Sequence, residues 1–452
     1  MSKPVTEYNQ INSNKNNKKW IIIDDKLYDV SEFYKEHPGG PTVLLTHIGK
    51  DASDVFHAMH PESAYEILAN YYIGDLNDNT LTIHPKSEAF ANDIRQLRDQ
   101  LEQQGYFEAS KLFYLYKMVS TLGLCFVSMI ILYLYGRQSS LAIVISAFLL
   151  GVFWQQCGWL SHDFGHHQVF TQRVWNDMVL IFLGNFCQGF ALSWWKNKHN
   201  THHASTNISG HDPDIDTAPI LLWDEYASAN YYEALGGKQE KGSGGMINRF
   251  FAENVLPHQT RYFFFVLGFA RASWALQSLL HIFRLGAINK STSLRIYETV
   301  CLILHWGLFI LVTIQWIDSL RNRILFFVLS QSISGYMLAI VFALNHNGMP
   351  VISQEQAESL AFFEIQVITG RDVKMGCLGD WFMGGLNYQI EHHVFPTLPR
   401  HRLADIQPKV EAISRKHGIQ YHTTTFMQGS LEVLKALDIA QKMSRNLIKK
   451  SM

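Results

Sequence analysis

The stretch His162-Asp163-Phe164-Gly165-His166-His167, answered downstream by His199-Asn200-Thr201-His202-His203, decides how this chain is read. In the first group, His162 and His166 stand four apart; in the second, His202 and His203 stand three and four beyond His199. Residues at those spacings share a helix face, so each group aims several imidazoles at one point. Imidazole is the commonest side-chain metal ligand. A third group, Gln389-Ile390-Glu391-His392-His393, repeats the three-and-four spacing far downstream. One such group alone is as easily a surface or core feature. Three of them, in a chain with 21 histidines, point to a metal centre. About seven or eight converging imidazoles are too many for one four-coordinate zinc and suit two metals. Ligand type does not choose among zinc, copper, iron and nickel.

The rest of the chain narrows the choice. Its 452 residues allow two or three domains, and a net charge of -1 gives no sign of a nucleic-acid partner. The apolar share of 47% is ordinary, but it is bunched into long runs. Five scattered cysteines (Cys125, Cys157, Cys187, Cys301 and Cys377) form no CxxC pair and read as reduced packing residues. Residues 1–19 are polar, Asn- and Lys-rich, without a basic-then-apolar leader, and read as a disordered tail.

From Trp20 to Leu76 the pattern is that of a small soluble α+β domain. Ile21 to Ile23 is a β-branched run and Asp24-Asp25 supplies a turn. His37-Pro38-Gly39-Gly40 follows, then Asp54-Val55-Phe56-His57-Ala58-Met59-His60. This segment resembles a cytochrome b5 haem-binding domain. The resemblance implies a haem b held by His37 and His60, with His57 as the alternative to His60. Two axial imidazoles leave the iron no open position, so such a haem carries electrons.

Residues 77–110 read as a linker in which Ser87 caps a helix ended by Gly105. That helix carries Phe90, Ile94, Leu97 and Leu101 on one packing face, which would hold the haem domain at a fixed angle. Beyond it lie four uncharged or nearly uncharged apolar runs, about 118–135, 141–160, 300–317 and 324–344. Each approaches the roughly 20 residues needed to cross a bilayer, and short polar breaks join them into two hairpins. Met178 to Trp195 and Tyr262 to Phe283 are also apolar, the latter carrying Arg271. If either crossed alone, the second histidine group would lie on the wrong face. Both are therefore expected to lie along the membrane surface or dip into it. Helices around Ile406, Val410 and Ile413 and around Leu431, Leu434 and Leu437 close the chain.

An electron-carrying haem beside a histidine-rich site argues for a redox metal. Zinc has no redox chemistry, and iron is the natural candidate. A di-iron site facing a bilayer suits O2 activation against an unactivated methylene chain, which is the reading of a membrane-bound oxidase of fatty acyl groups. At this point the chain resembles a front-end fatty-acyl desaturase, most closely the fungal Δ6 type. The likeness rests on HPGG, WQQCGWLSHDFGHHQVF from Trp154, WWKNKHNTHHASTN from Trp194 and GGLNYQIEHHVFP from Gly384, and spans the chain from about Trp20 onward.

The resemblance implies an α-helical integral membrane protein with four transmembrane helices, a cytosolic di-iron cap and the N-terminal haem domain over residues 20–76; the desaturase domain occupies 111–452. The implied iron ligands are His162, His166, His199, His202, His203, His392 and His393, with His346 as the eighth. Gln389, where most other membrane desaturases carry histidine, implies either an amide-oxygen ligand or a hydrogen-bonding neighbour. His167 points about 100° away from His166 on a helix. Asp163, Asp212, Asp214 and Glu391 are candidates to hold the second nitrogens of the ligands, although the HDPDIDT run from His211 reads equally as a solvated loop.

The implied reaction uses O2 and electrons from NADH through cytochrome b5 reductase. It inserts a cis double bond at Δ6 of linoleate or α-linolenate, on coenzyme A or a phospholipid. Lys449-Lys450-Ser451-Met452 resembles a dilysine retrieval signal and fits a multi-pass endoplasmic reticulum protein with both termini cytosolic. The rival readings are Δ5 or Δ8 desaturation, a sphingolipid long-chain base as substrate, hydroxylation, and a non-catalytic haem and metal protein.

Overall fold

A computed structural model describes residues 18–76, 84–236, 243–285 and 292–451. The expected N-terminal tail lies outside the described residues but for its last two, and so do part of the linker and Met452. The haem-type domain is built on three antiparallel strands, Trp20–Ile23, Lys26–Asp29 and Tyr72–Asp75, in sequence order. Asp24 and Asp25 make the expected turn, both at positive φ (52° and 57°), the conformation a two-residue hairpin of this twist requires. Ile21, Ile23, Val30, Val43 and Val55 close its core.

The linker helix runs Pro85–Gln103, and its cap is His84, whose Nδ1 accepts from the Lys86 N–H. Ser87, expected as the cap, instead lies inside the first turn and accepts a hydrogen bond from the Ala361 N–H at 2.7 Å. A Pro at the first helical position explains the displacement, because proline is preorganised for N1. Phe90, Ile94, Leu97 and Leu101 are all buried, as their spacing predicts, against Phe363, Ile390, Val394, Ile406 and Val410 of the C-terminal cap. The opposite face grips the haem-type domain: Arg95 pairs with both oxygens of Asp54 at 2.7 and 2.8 Å, and Arg98 donates to the His57 carbonyl.

Among the described residues, four helices are long and apolar enough to cross a membrane: Lys111–Tyr135, Ser140–Gly165, Thr292–Trp316 and Leu320–His346. Each extends beyond the run read from composition, since polar ends continue the helix past the apolar stretch. The second and fourth are the most enclosed, while the first and third expose Leu115, Val119, Phe126, Ile303 and Ile310 outward. The two ambiguous runs bend sharply, by 109° between Arg173–Gln188 and Leu192–Ala204, and by 83° between Gly245–Leu267 and Ala270–Phe283. A π-helical turn over Ile181–Gln188 and left-handed Gly189 make the first bend. Arg271, the charge in the second run, is fully buried and solvated from within. It donates to Gln331 and to the Gln188 carbonyl, and its guanidinium lies 3.7 Å over the Trp154 ring.

The cap packs on the inner ends of the second and fourth spans. Gln155 and Trp159 both donate to the Phe382 carbonyl, at 3.0 and 2.9 Å. The closing helices are Leu403–His417 and Phe426–Ser451; in the latter Leu437 is buried, whereas Leu431 faces outward. The cysteines are free, with only Cys377 exposed.

Candidate metal centre

The three histidine groups meet. His162 and His166 end the second span, His199, His202 and His203 lie on Leu192–Ala204, and His392 and His393 lie on the short helix Gln389–Val394. His346 is the last residue of the fourth span. These eight imidazoles divide into two buried sets. His162, His166, His199, His203 and His392 form one; His202, His346 and His393 form the other. In the first set, Nε2 atoms face each other in a chain: His166 to His199 at 3.0 Å, His199 to His203 at 3.1 Å, and His203 to His392 at 3.1 Å. His162 Nε2 has no protein partner. Trp195 stacks on His199 at 4.5 Å, and a Cβ on Gly165 would drive into that indole, so the HDFGHH glycine is a packing requirement.

In the second set the tautomers are fixed. His202 Nδ1 donates to both oxygens of Asp212 (3.0 and 2.9 Å), His346 Nδ1 to the Thr369 carbonyl (3.1 Å), and His393 Nδ1 to Gln366 Oε1 (2.9 Å). Each Nε2 is then a bare lone pair, yet His346 and His393 bring theirs within 2.9 Å. Facing lone pairs in a dry interior demand a cation. The donor set therefore fits metal ions at both places, and the facing Nε2 atoms make imidazole nitrogen the chemistry that iron, zinc or copper would meet.

Electrostatics agree everywhere but at His202. Burial first, then neighbouring imidazoles, hold His166, His199, His203, His392 and His393 well below the usual histidine pKa, so each keeps a lone pair. For His202, burial pulls downward but the Asp212 and Asp214 carboxylates outweigh it and leave the ring above its ordinary value.

Gln389 lies between Asn345 and His346. The two amides share a 2.8 Å hydrogen bond, and the Gln389 amide is 2.8 Å from His346 Nε2. Both ends of Asn345 are satisfied when its nitrogen faces the Val341 and Leu386 carbonyls, each 3.2 Å away. Its oxygen then takes a hydrogen from Gln389, which leaves the Gln389 oxygen facing His346.

Of the four carboxylates expected on second nitrogens, Asp212 alone is hydrogen-bonded there. Asp214 is 3.7 Å from His202 and pairs with Lys198 at 3.1 Å. Asp163 is 3.8 Å from His162 Nδ1 and pairs with Arg400 at 2.9 Å. Glu391 turns away toward Tyr421, which donates to it at 2.8 Å. Burial, then Asp372, holds the Glu391 carboxyl well above its usual pKa. Helical phase explains this: one residue along from a ligand points about 100° away. His167 lies past the end of the Ser140–Gly165 helix, at positive φ (57°), and the left-handed turn there points it to Asp177, 3.1 Å distant. Gln366 and Thr369, which do hold ligand nitrogens, were missed. A lone glutamine within the apolar run Phe362–Thr369 was their one trace in the sequence.

A cavity of about 230 Å³ opens onto this cluster, reaching His162, His199, His202 and His346 at one end and walled by Trp159, Leu180, Phe190, Trp274, Leu338 and Phe342. A second, of about 440 Å³, lies in the N-terminal domain between His37 and His60. Their rings are 5.8 Å apart, and their Nδ1 atoms donate to the Gly40 and Phe56 carbonyls at 3.1 Å each, leaving both Nε2 atoms free. Burial lowers these two imidazoles to about 4 and about 3. The pair fits a flat metal-bearing plate. His57 instead bonds Asp24 at the surface, at 2.8 Å.

Residues 139–425 match the family described as fatty acid desaturase, and residues 5–77 match the cytochrome b5-like heme/steroid binding domain. The chain is 36% identical over 423 residues to an acyl-lipid (9-3)-desaturase of Physcomitrium patens, covering 92% of this chain and 74% of the relative. It is 34% identical to the Delta(8)-fatty-acid desaturase of Euglena gracilis, covering 94% and 96%. It is 31% identical to the Delta(6)-fatty-acid desaturase fat-3 of Caenorhabditis elegans, covering 90% and 93%.

Proposed function

The chain belongs to the fatty acid desaturase family, as a front-end desaturase with a fused cytochrome b5-type haem domain, and we propose that it inserts a Δ6 cis double bond into C18 polyunsaturated acyl chains. The family and the histidine cluster together imply a di-iron centre, and the b5-type domain implies haem. The observation that carries the reading is the apolar cavity of about 230 Å³ that ends on the clustered imidazoles.

We assign one iron to His162, His166, His199, His203 and His392, and the other to His202, His346 and His393, with the Gln389 oxygen completing the second set. His37 and His60 are assigned as haem ligands. When bound, the two irons supply the oxidising power that, with O2 and electrons delivered through the haem, removes one hydrogen from each of two adjacent methylene carbons and yields water. The chain's own residues do the rest. Trp159, Phe190, Trp274, Leu338 and Phe342 hold the acyl chain by contact and exclude water, and fixing one carbon pair against the imidazoles converts a chance encounter into an oriented one. Lys198 and Asn207 also line this cavity, Lys198 held by Asp214 at 3.1 Å and Asn207 by the His346 and Pro350 carbonyls at 3.2 Å each. Asp212, Thr369 and Gln366 hold the ligand rings in a single tautomer.

The electrons come from NADH by way of cytochrome b5 reductase, and the acyl group rides on coenzyme A or a phospholipid. The domains divide at residues 20–76, 77–110 and 111–452. The protein resides in the endoplasmic reticulum membrane with both termini cytosolic. A Δ8 activity is the second reading, because the Euglena relative named for it is slightly more similar than the Δ6 relative.

Expression in a host without polyunsaturates, fed linoleate, tests the proposal. γ-Linolenate is the expected product, and a new bond at any other position refutes Δ6. His392→Ala should abolish product and leave the haem spectrum intact, while His37→Ala should lose the haem itself.

A further inference from the structure

The haem pocket is not walled by the haem domain alone. Its lining continues through His37, Met59 and His60 into His166, His167, Arg173, Lys196 and Asn200 of the desaturase domain. The contact is intimate. Asn200 donates to the Gly39 carbonyl at 3.0 Å, and Thr42 donates its hydroxyl to Asn197 Oδ1 at 3.0 Å. The helix that carries His199 and His203 on one face thus grips the His37 loop with the other.

Two cations stand in this shared wall, and they differ. Lys196 is committed: its ammonium contacts Asp177 at 2.5 Å and lies 3.3 Å from His167. Burial opposes the Asp177 charge, but Lys196 and His167 hold its carboxyl down at about 2. Arg173 makes no ion pair within 4 Å among the described residues; the carboxylate that acts on it, Asp177 one helical turn along, is already held by Lys196 and His167. Arg173 makes one hydrogen bond there, from an NH2 to the carbonyl of Met59, the residue before the axial ligand His60, at 2.6 Å. A guanidinium has five N–H donors in a fork that matches a carboxylate. Here most of them are unspent, on the wall of a cavity fitted to a macrocycle that carries two propionate carboxylates. A carboxylate buried at such an interface needs a cation.

We propose that Arg173, a residue of the desaturase domain, binds a haem propionate, so that the two domains share one haem site. The inference rests on the bis-imidazole haem reading. Its consequence is that haem and docking are linked. The cofactor is held by both domains, and the desaturase domain keeps it against the wall formed by His166 and His167. The alternative role for Arg173, a tether of the Met59 carbonyl only, needs no propionate.

The test is the rate at which full-length holoprotein gives up haem to an excess of acceptor apo-globin, followed by absorbance, with natural haem and with haem whose propionates are methyl esters. Arg173→Gln should release natural haem about tenfold faster than wild type, and esterified haem at the wild-type rate. Arg173→Lys should fall between, since it keeps the charge and loses the fork. Wild type itself should release the ester faster than natural haem. Equal release of natural haem by wild type and Arg173→Gln overturns the proposal. So does a rate difference that persists with the ester, which would mark Arg173 as a tether alone. If Arg173→Gln does not fold, the same two haems compared in wild type and Arg173→Lys decide it. A wild-type chain without a two-imidazole haem spectrum would overturn the haem reading itself.

Discussion

Asp212→Asn isolates the role of a single carboxylate at the second iron set. Asp212 is fully enclosed; both its oxygens take the His202 Nδ1 hydrogen, at 3.0 and 2.9 Å, and it also accepts from the backbone N–H groups of Asn207 and Asp214, each at 2.8 Å. Asparagine keeps the shape and one acceptor oxygen, so the loop retains a partner while the charge is lost. Removing a carboxylate that orients a ligand imidazole costs roughly 10- to 100-fold in metal affinity, or about 1.4–2.8 kcal/mol. The loss should fall on the iron held by His202, His346 and His393 and spare the five-histidine set. Anaerobic titration of apoenzyme with ferrous iron against a competing chelator reads this directly. Wild type should fill two sites of similar strength, and Asp212→Asn should fill one tightly and the other 10- to 100-fold more weakly, with the haem spectrum unchanged. Two irons bound at wild-type affinity would refute the reasoning, because His202 would then owe its ligand geometry to packing alone.

Three further outcomes follow from the contacts. Gly40→Ala should loosen the haem domain from the desaturase: φ is 107°, and a Cβ would lie 2.6 Å from Asn197 Oδ1. Backbone strain of roughly 1–3 kcal/mol should appear as faster haem loss and slower turnover at saturating reductase. Gly158→Val should narrow the acyl cavity, since even a Cβ there meets Gln188 and Leu338 at 2.9 Å; product analysis should show a lower rate on C18 chains and a relative gain on shorter ones. Arg95→Ala removes two ion pairs, to Asp54 and Glu88, whose shared arginine is 38% exposed, so solvent screening limits the loss to about 1 kcal/mol for each, and thermal melting should move by only a few degrees.

What the sequence disclosed and what it hid differ in physical kind. Seven of the histidines were legible because helical spacing is a local property; His346, alone at the end of the fourth run, came from the family resemblance and its place in the chain, and the shared metal requirement then led to the expected membrane topology. That requirement places His199 on the side of His162 and His392, so the run between them must turn back, and the 109° bend does so. Gln366 and Thr369 were hidden because their role depends on a helix that reaches the centre from a distant part of the chain, and nothing in FFEIQVIT signals what it faces. Asp163 and Glu391 were misread for the reverse reason. Adjacency in sequence to a ligand is, on a helix, a rotation of about 100° away from the ligand's target. Their carboxyl groups meet Arg400 and the Asp372–Tyr421 group instead. His167 is turned away for another reason, the left-handed backbone (φ 57°) just past the helix end, and it lines the cavity around His37 and His60. His166 belongs to the imidazole cluster and also lines the cavity around His37 and His60, where His167 stands beside it, so that cavity and the cluster meet at this helix end.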